Sequence, residues 1–292
     1  MNKEFNKGLL LAGFGSFWWG FFGVLYFKYI TFIGYIELVI HRCLWTTLTL
    51  ILTTFFFSKW DIFFKIIKSK QNLIYLFISG FLIFINWGVW IYAIATNRII
   101  DASFGYFIMP ILSVLLGYIF FKEKLNNKRI FSITLVILSI LYLIFVSLKS
   151  LPWVGLIVAL SWGFYNLVRK KINVDTDIGL LIESLFILPI AIIVFYMIAA
   201  KGYNDFSLSN PSMMLIILLA GPMTVIPLFL YVRGVELCGL GPSGMIFYIT
   251  PTLQFLLGFF YYDEVFSFNK LVSFIIIWFA VIIYLRDLYE TN

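Results

Sequence analysis

Apolar positions along this chain fall in long, nearly uninterrupted blocks separated by short polar breaks. A helix that crosses a bilayer needs roughly 17–25 such residues. Ten blocks of that length lie near 8–28, 33–57, 72–95, 102–121, 130–148, 152–170, 178–199, 211–232, 240–262 and 268–286. They predict an all-α integral membrane protein with ten transmembrane helices. No intervening stretch is long or polar enough for an extramembrane domain, and the longest gaps fall near 59–71 and 201–211. The first block is too long for the apolar core of a signal peptide and has no small-residue cleavage site after it, so it reads as an uncleaved first span.

Composition agrees and closes off other classes. Of 292 residues, 62% are hydrophobic and only 12% charged, with a mean hydropathy of +1.01. A water-soluble protein of this size could not hide so much apolar surface, which excludes a soluble enzyme, a disordered chain and a secreted disulfide scaffold. Only two cysteines, Cys43 and Cys238, and one histidine are present. Neither a zinc site nor a disulfide framework is expected, and no metal or cofactor. The net charge of +7 could suggest nucleic acid, but the positions of the charges explain it differently. With the N-terminus inside, fifteen Lys and Arg fall in cytoplasmic segments and five in external ones, leaving Arg42 within a span. That asymmetry sets both termini on the cytoplasmic side of the membrane.

The chain also repeats itself. Tyr106-Phe-Ile-Met-Pro110 through Gly117 and Glu123 returns as Phe247-Tyr-Ile-Thr-Pro251 through Gly258 and Glu264, at one offset of 141 residues. Gly80 and Gly221 share that offset, while Trp19-Gly20 and Trp162-Gly163 match at a slightly different one. Proline, glycine and glutamate at one fixed spacing are harder to obtain by chance than apolar matches. The repeat divides the chain into 1–149 and 150–292, with five spans each. An odd number of spans makes the second copy enter from the opposite face, so the expected arrangement is two inverted five-helix repeats around a central cavity. Secondary transporters commonly bind their substrate near the midplane between such halves.

Candidate chemistry sits inside the spans. Pro110 lies about nine residues into its helix, roughly 14 Å deep at about 1.5 Å per residue. It leaves the carbonyl of Tyr106 without its helical donor, and Pro251 does the same to Phe247. The two prolines either line a site or are packing kinks. Glu37, His41 and Arg42 in the second span and Glu183 in the seventh are ionisable groups at cost in hydrocarbon. Glu37 and His41 share a helix face, whereas Arg42 is turned about 100° away, so no Glu37–Arg42 bridge is expected. Glu37 is expected to snorkel to the outer surface and Arg42 is compatible with holding a loop carbonyl. His41, Arg42 and Glu183 are candidates for charge recognition, gating or a proton path. By inversion, Glu183 and His41 fall at opposite depths and should not pair. Trp19, Asn86, Trp87, Trp162, Asn166, Tyr106, Tyr248 and Gln254 fill out the candidate wall; the amides are the better signals, since an amide in lipid needs a partner. Arg169-Lys170-Lys171 and Lys122-Glu123-Lys124 close their helices and are expected to orient the chain and meet headgroups.

These residues together resemble a known family. Glu37-x3-His41-Arg42-x2-Trp45, Asp101-Ala-Ser-Phe-Gly-Tyr-Phe-Ile-Met-Pro110, Leu167-Val-Arg-Lys-Lys171, Gly179-Leu-Leu-Ile-Glu183, Tyr248-Ile-Thr-Pro-Thr-Leu253 and Phe274-x3-Trp278 are similar to the RarD permeases of the EamA family, in the drug/metabolite transporter superfamily. The similarity runs over nearly the whole chain, in order. It implies ten helices in two inverted halves, a central cavity, and peripheral fifth and tenth helices. It carries over Glu37, His41, Arg42, Tyr106, Pro110, Glu183, Tyr248 and Pro251 as site positions. The chain departs from the family at Phe22-Gly23, where relatives often have proline.

The expected function is therefore a permease moving a small organic solute, metabolite or drug, by alternating access, with Tyr106, Tyr248, Asn86 and Asn166 touching the solute. Proton coupling is compatible with this, although few titratable groups lie at depth. Membrane lipids are the other expected partner. The alternatives are a membrane-embedded lipid-modifying enzyme, which would need clustered acids, histidines or metal ligands, and a non-transporting sensor.

Overall fold

A backbone placed in hydrocarbon must satisfy its own N–H and C=O groups, and helices do this within one segment. The computed structural model describes residues 3–96, 99–147, 153–202, 204–206, 210–261 and 268–291, and among these the regular structure is helix alone. The order is α1 (Lys3–Trp18), a π-helical turn (Trp19–Gly23), α2 (Val24–Tyr29), α3 (Tyr35–Phe56), α4 (Trp60–Ile67), α5 (Lys70–Ala95), α6 (Ile99–Phe121) and α7 (Asn127–Ser147). There follow α8 (Trp153–Lys171), α9 (Thr176–Ala200), α10 (Pro211–Leu218), α11 (Ala220–Cys238), α12 (Leu240–Ile246), α13 (Ile249–Tyr261) and α14 (Phe268–Thr291).

Seven helical segments among the described residues are long and apolar enough to cross a membrane: Lys3–Tyr29, Tyr35–Phe56, Lys70–Ala93, Asn127–Val146, Thr176–Ala200, Pro211–Cys238 and Leu271–Glu290. Three expected spans remain. The fourth block is α6, 23 residues long, whose described apolar part is Gly105–Phe121. The polar and charged end of α8 dilutes its hydropathy. The ninth block is interrupted at Phe247-Tyr248, between α12 and α13.

Interruptions have local causes. Pro251 cannot donate to Phe247, and the Phe247 carbonyl instead accepts from the Thr250 N–H at 2.9 Å. Pro110 lies within a continuous α6. The first span lacks a proline but still departs from α-geometry, through the π-turn at Trp-Gly-Phe-Phe-Gly; such turns recur at functional sites. Gly239, at φ +98°, provides the left-handed turn between α11 and α12. There the Glu123 carboxylate accepts the Leu240 and Gly241 N–H groups, each at 2.8 Å. An anion at a helix N-terminus is favourable, so Glu123 is a cap rather than a headgroup anchor. Its repeat mate Glu264 lies outside the described residues. The gap near 59–71 has a helix of its own. It is α4, too short to span, whose Ile62, Phe63, Ile66 and Ile67 pack with Leu76, Ile178 and Ile182.

The two halves of the chain interlock. α1 packs on α11 and α5 on α8; α3 packs on α9 and α11, α5 on α9, α6 on α8 and α12, and α7 on α14. Lipid offers no hydrophobic drive between helices, so close approach through small residues matters. Gly80 meets the backbone of Glu183, and Gly221 meets the carbonyl of Trp45 and the Thr49 hydroxyl. α7 and α14 stand outside the main core over a cluster of their own. They are joined by Ser132 Oγ donating to the Ala280 carbonyl at 2.6 Å and Ser139 Oγ to the Ser273 carbonyl at 2.9 Å. At the offset of 141 residues, 132 corresponds to 273 and 139 to 280, so each residue pair becomes the other when the halves are exchanged, with donor and acceptor reversed. Tyr248 hydroxyl donates to the Phe107 carbonyl at 2.9 Å, and those two residues are also 141 apart.

A methyl at position 221 would strike backbone, whereas one at Gly88 would meet nothing within 4 Å. Gly221→Ala should therefore destabilise by about 1–3 kcal/mol, and Gly88→Ala should change stability by no more than about 1 kcal/mol. Thermal unfolding in detergent checks the pair; equal melting temperatures would contradict the assigned crossing.

Candidate functional site

Aromatic residues from both halves enclose a small cavity. The π-turn and α2 contribute Trp19, Gly23 and Phe27; α3 contributes Arg42; α5 contributes Asn86, Trp87 and Trp90; α6 contributes Tyr106. From the second half come Trp162 on α8, Phe247 at the α12–α13 break, and Thr250 and Gln254 on α13. Its volume of about 40 Å³ has room for only a few waters, since one needs roughly 10–15 Å³ on this measure. The rings close it: Trp19 and Trp162 stand edge to face with centroids 4.9 Å apart, and Tyr106 and Phe247 lie 5.8 Å apart.

The π-turn and the Phe247 break face each other across this wall, which places two irregular backbone segments beside a cavity rather than lipid. Asn86 Nδ2 donates to the Val158 carbonyl at 3.0 Å and to Ser161 Oγ at 3.1 Å, tying α5 to α8. Arg42 is 4% exposed. Its Nε donates to Thr224 Oγ1 at 3.0 Å, and its guanidinium carbon lies 4.9 Å from the Phe27 ring centroid and 4.5 Å from that of Trp87. Its partner is thus a threonine hydroxyl on α11, not a loop carbonyl.

Of the residues expected from sequence, the structure brings Trp19, Arg42, Asn86, Trp87, Tyr106, Trp162 and Gln254 to this wall. It does not bring the others. Tyr248 is turned away, its hydroxyl bound to Phe107 in the cluster beneath α14. Asn166 donates to the Trp162 carbonyl of its own helix at 2.9 Å. Pro110 and Pro251 are buried off the wall, and the Pro110 carbonyl packs on Gly244 of α12. Phe27, Trp90, Phe247 and Thr250 were missed. Gly23 and Phe27, one and two turns beyond Trp19, carried a usable spacing; Phe247 and Thr250 flank the Pro251 break.

Glu37, His41 and Glu183 sit at the two ends of the bundle. Glu37 does not snorkel: it is 3% exposed. Its Oε1 accepts the Asp205 N–H at 2.8 Å and the Phe206 N–H at 3.3 Å, and lies 3.1 Å from His41 Nε2. The His41 ring packs on Trp45, Phe195 and Phe206. The carboxylate thereby pins segment 204–206 over the start of α3. The Asp205 carboxyl is raised above its ordinary value by partial burial and then by the neighbouring Glu37 carboxylate.

At the other end, Glu183 accepts from Ser79 Oγ at 2.6 Å and the Tyr165 hydroxyl at 3.2 Å. Arg169 reaches it at 3.4 Å and Glu236 at 3.6 Å, and donates to the Thr176 carbonyl at 3.1 Å. Arg169 is 1% exposed, so the headgroup role expected for it fails: an acid buried on α9 draws it inward, and Gly179 leaves the room it occupies. This network ties α5, α8, α9 and α11. Among the described residues no group of three or more His, Cys, Asp or Glu could hold a metal ion.

Comparison with known proteins places these features in context. The EamA-like transporter family matches residues 6–145. The chain is similar to the uncharacterised transporter YojE of Bacillus subtilis, 33% identical over 286 residues, which are 97% of this chain and 95% of that protein. It is 33% identical to protein RarD of Escherichia coli over 290 residues, 99% of this chain and 97% of that one. A solved crystal structure covers 95% of this chain and 96% of its own with a TM-score of 0.69 at 13% identity, a likeness of fold alone.

Breaking a buried ion pair on one side leaves an uncompensated charge and costs about 3–5 kcal/mol. Arg169→Ala should lose stability on that scale, and the double variant Arg169→Met/Glu183→Leu should regain most of it. Thermal unfolding separates the two; an additive loss in the double variant would show the pair to be uncoupled. Glu37→Gln should weaken the hold on 204–206 and speed tryptic cleavage after Lys201, and an unchanged cleavage rate would contradict the anchoring role.

Proposed function

Because the chain belongs to the EamA-like transporter family, among its RarD-type permeases, we propose that this membrane transporter is a secondary permease moving a small organic solute across the bacterial inner membrane by alternating access. Its halves, 1–149 and 150–292, act as inverted five-helix repeats of ten spans in all, and the cavity between them is the solute site.

The observation that carries this reading is the cavity itself. Both halves contribute to its wall, it meets the π-turn in one half and the broken helix in the other, and it holds a buried arginine. Transporter sites are commonly built from such interrupted helices between repeats. The exchange of the Ser132 and Ser139 bonds, and the matched close contacts of Gly80 and Gly221, support inversion. The charge asymmetry supports cytoplasmic termini.

In this reading, the Glu37–Asp205 contact and the Arg169–Glu183–Glu236 network are the closures on the two sides. The first ties α3 to segment 204–206 of the second half, and the second reaches the first half through Ser79 on α5. The solute contacts Trp19, Asn86, Tyr106 and Trp162, and the ring wall opens to admit it.

Gly23→Cys, in a chain with Cys43→Ser and Cys238→Ser, sets a thiol in the wall. Reconstituted in proteoliposomes, it should react with a membrane-impermeant thiol reagent from either face. The balance should shift when a small-molecule extract of bacterial cytoplasm is added on one side, and mass spectrometry should find a component of that extract carried across. Labelling from one face under every condition would overturn alternating access, and no carried component would overturn the transport reading.

A further inference from the structure

The buried acids of the bundle are engaged away from the cavity. Glu183 is held by Ser79, Tyr165 and Arg169, Glu37 by His41 and the Asp205 and Phe206 amides, and Asp287 by Asn126 and Arg129. Arg42 differs. It is buried, it lines the cavity, and among the described residues no carboxylate pairs with it. Its Nε is taken by Thr224, while its two terminal Nη atoms donate to no acceptor among the described residues. Aromatic faces give a cation about 0.5–2 kcal/mol, well below the several kcal/mol that burying an ion costs. The wall residues themselves include no acid.

We infer that the solute is a small organic monoanion: an oxyanion group on a flat apolar body, seated with the oxyanion on the Arg42 guanidinium and the body between Trp19, Trp162 and Tyr106. This rests on the transport reading of the cavity and adds its substrate class. A guanidinium presents parallel N–H donors that match two oxygens of one carboxylate or sulfonate. The ring wall suits a flat apolar body. An amine, a cation or a zwitterion would bring an ammonium into a wall without a carboxylate to receive it, beside a positive charge.

The test uses the full-length protein in detergent at pH 7. Five probes share one ring: benzenesulfonate and benzoate as anions, benzamide as neutral, benzylammonium as cation and phenylalanine as zwitterion. Melting temperature and quenching of tryptophan fluorescence are the readouts. Only the two anions should raise the melting temperature and quench. Arg42→Gln should weaken their apparent affinity about tenfold or more, the scale of a charge-assisted hydrogen bond. Arg42→Lys, which keeps the charge without the fork, should fall between and carries the test if Arg42→Gln does not fold.

An equal response to benzamide or benzylammonium, or an undiminished anion response in the Arg42 variants, would overturn the inference. If no probe acts while proteoliposomes still carry a component of the cytoplasmic extract, the anion inference fails and the transport reading stands. Anion binding that depends on Arg42, with no component carried, upholds the anion site and rejects transport.

Discussion

A charge inside hydrocarbon must meet another charge, a dipole or water, and that requirement organises this molecule. Each buried carboxylate answers it by binding elements distant in sequence. Glu183 on α9 gathers Ser79 from α5 and Tyr165 and Arg169 from α8. Asp287 on α14 holds Asn126 and Arg129 at the start of α7, and the half-buried Glu123 closes the N-terminus of α12. Apolar side chains cannot fix such a pairing, because the lipid outside is as apolar as the core. Polar contacts and small-residue crossings specify which helices meet; the apolar majority only makes the assembly soluble in the bilayer. The pattern explains why the two halves are interleaved. Most of the strong contacts join one half to the other, so neither half has a finished interior without its partner.

Much of the architecture was legible in the sequence because spanning helices announce themselves by length and lack of charge. Most helices lie where apolar blocks predicted them, and Gly80 and Gly221, singled out by a shared offset, occupy matching close contacts. α4 escaped because a block search of about 20 residues passes over eight residues, even ones with apolar positions 62, 63, 66 and 67 on one side.

The site was legible in part. Trp19, Arg42, Asn86, Tyr106 and Trp162 converge on one cavity, but Tyr248 and Asn166, chosen on the same grounds, do not. A polar group in a span must have a partner, yet the sequence does not say whether that partner is a solute, a carbonyl across the bundle or a carbonyl one turn back. Asn166 found the last and Tyr248 the second. Arg169 was misjudged for a related reason. A basic run at a helix end ordinarily meets headgroups, and only the fold reveals that Glu183 lies within reach of its first member.

The unequal fate of the matched prolines bears on mechanism. Pro251 lies in the first turn of α13, just after a break in its span, whereas Pro110, at the corresponding place, stays within a continuous helix packed on α12. If the halves are inverted copies, as proposed, the same conformation in both would present the same access to both faces of the membrane. Copies that differ do not, and exchanging their conformations exchanges the accessible face. The difference is concentrated where Phe247 and the π-turn border the cavity, so in the proposed transport cycle the backbone that would change is the backbone that would touch the solute. A ligand bridging Arg42 in the first half and the rings of the second would contact both copies at once, and its binding energy would differ between the two conformations. Such a difference is the only means by which a ligand can shift the balance between them.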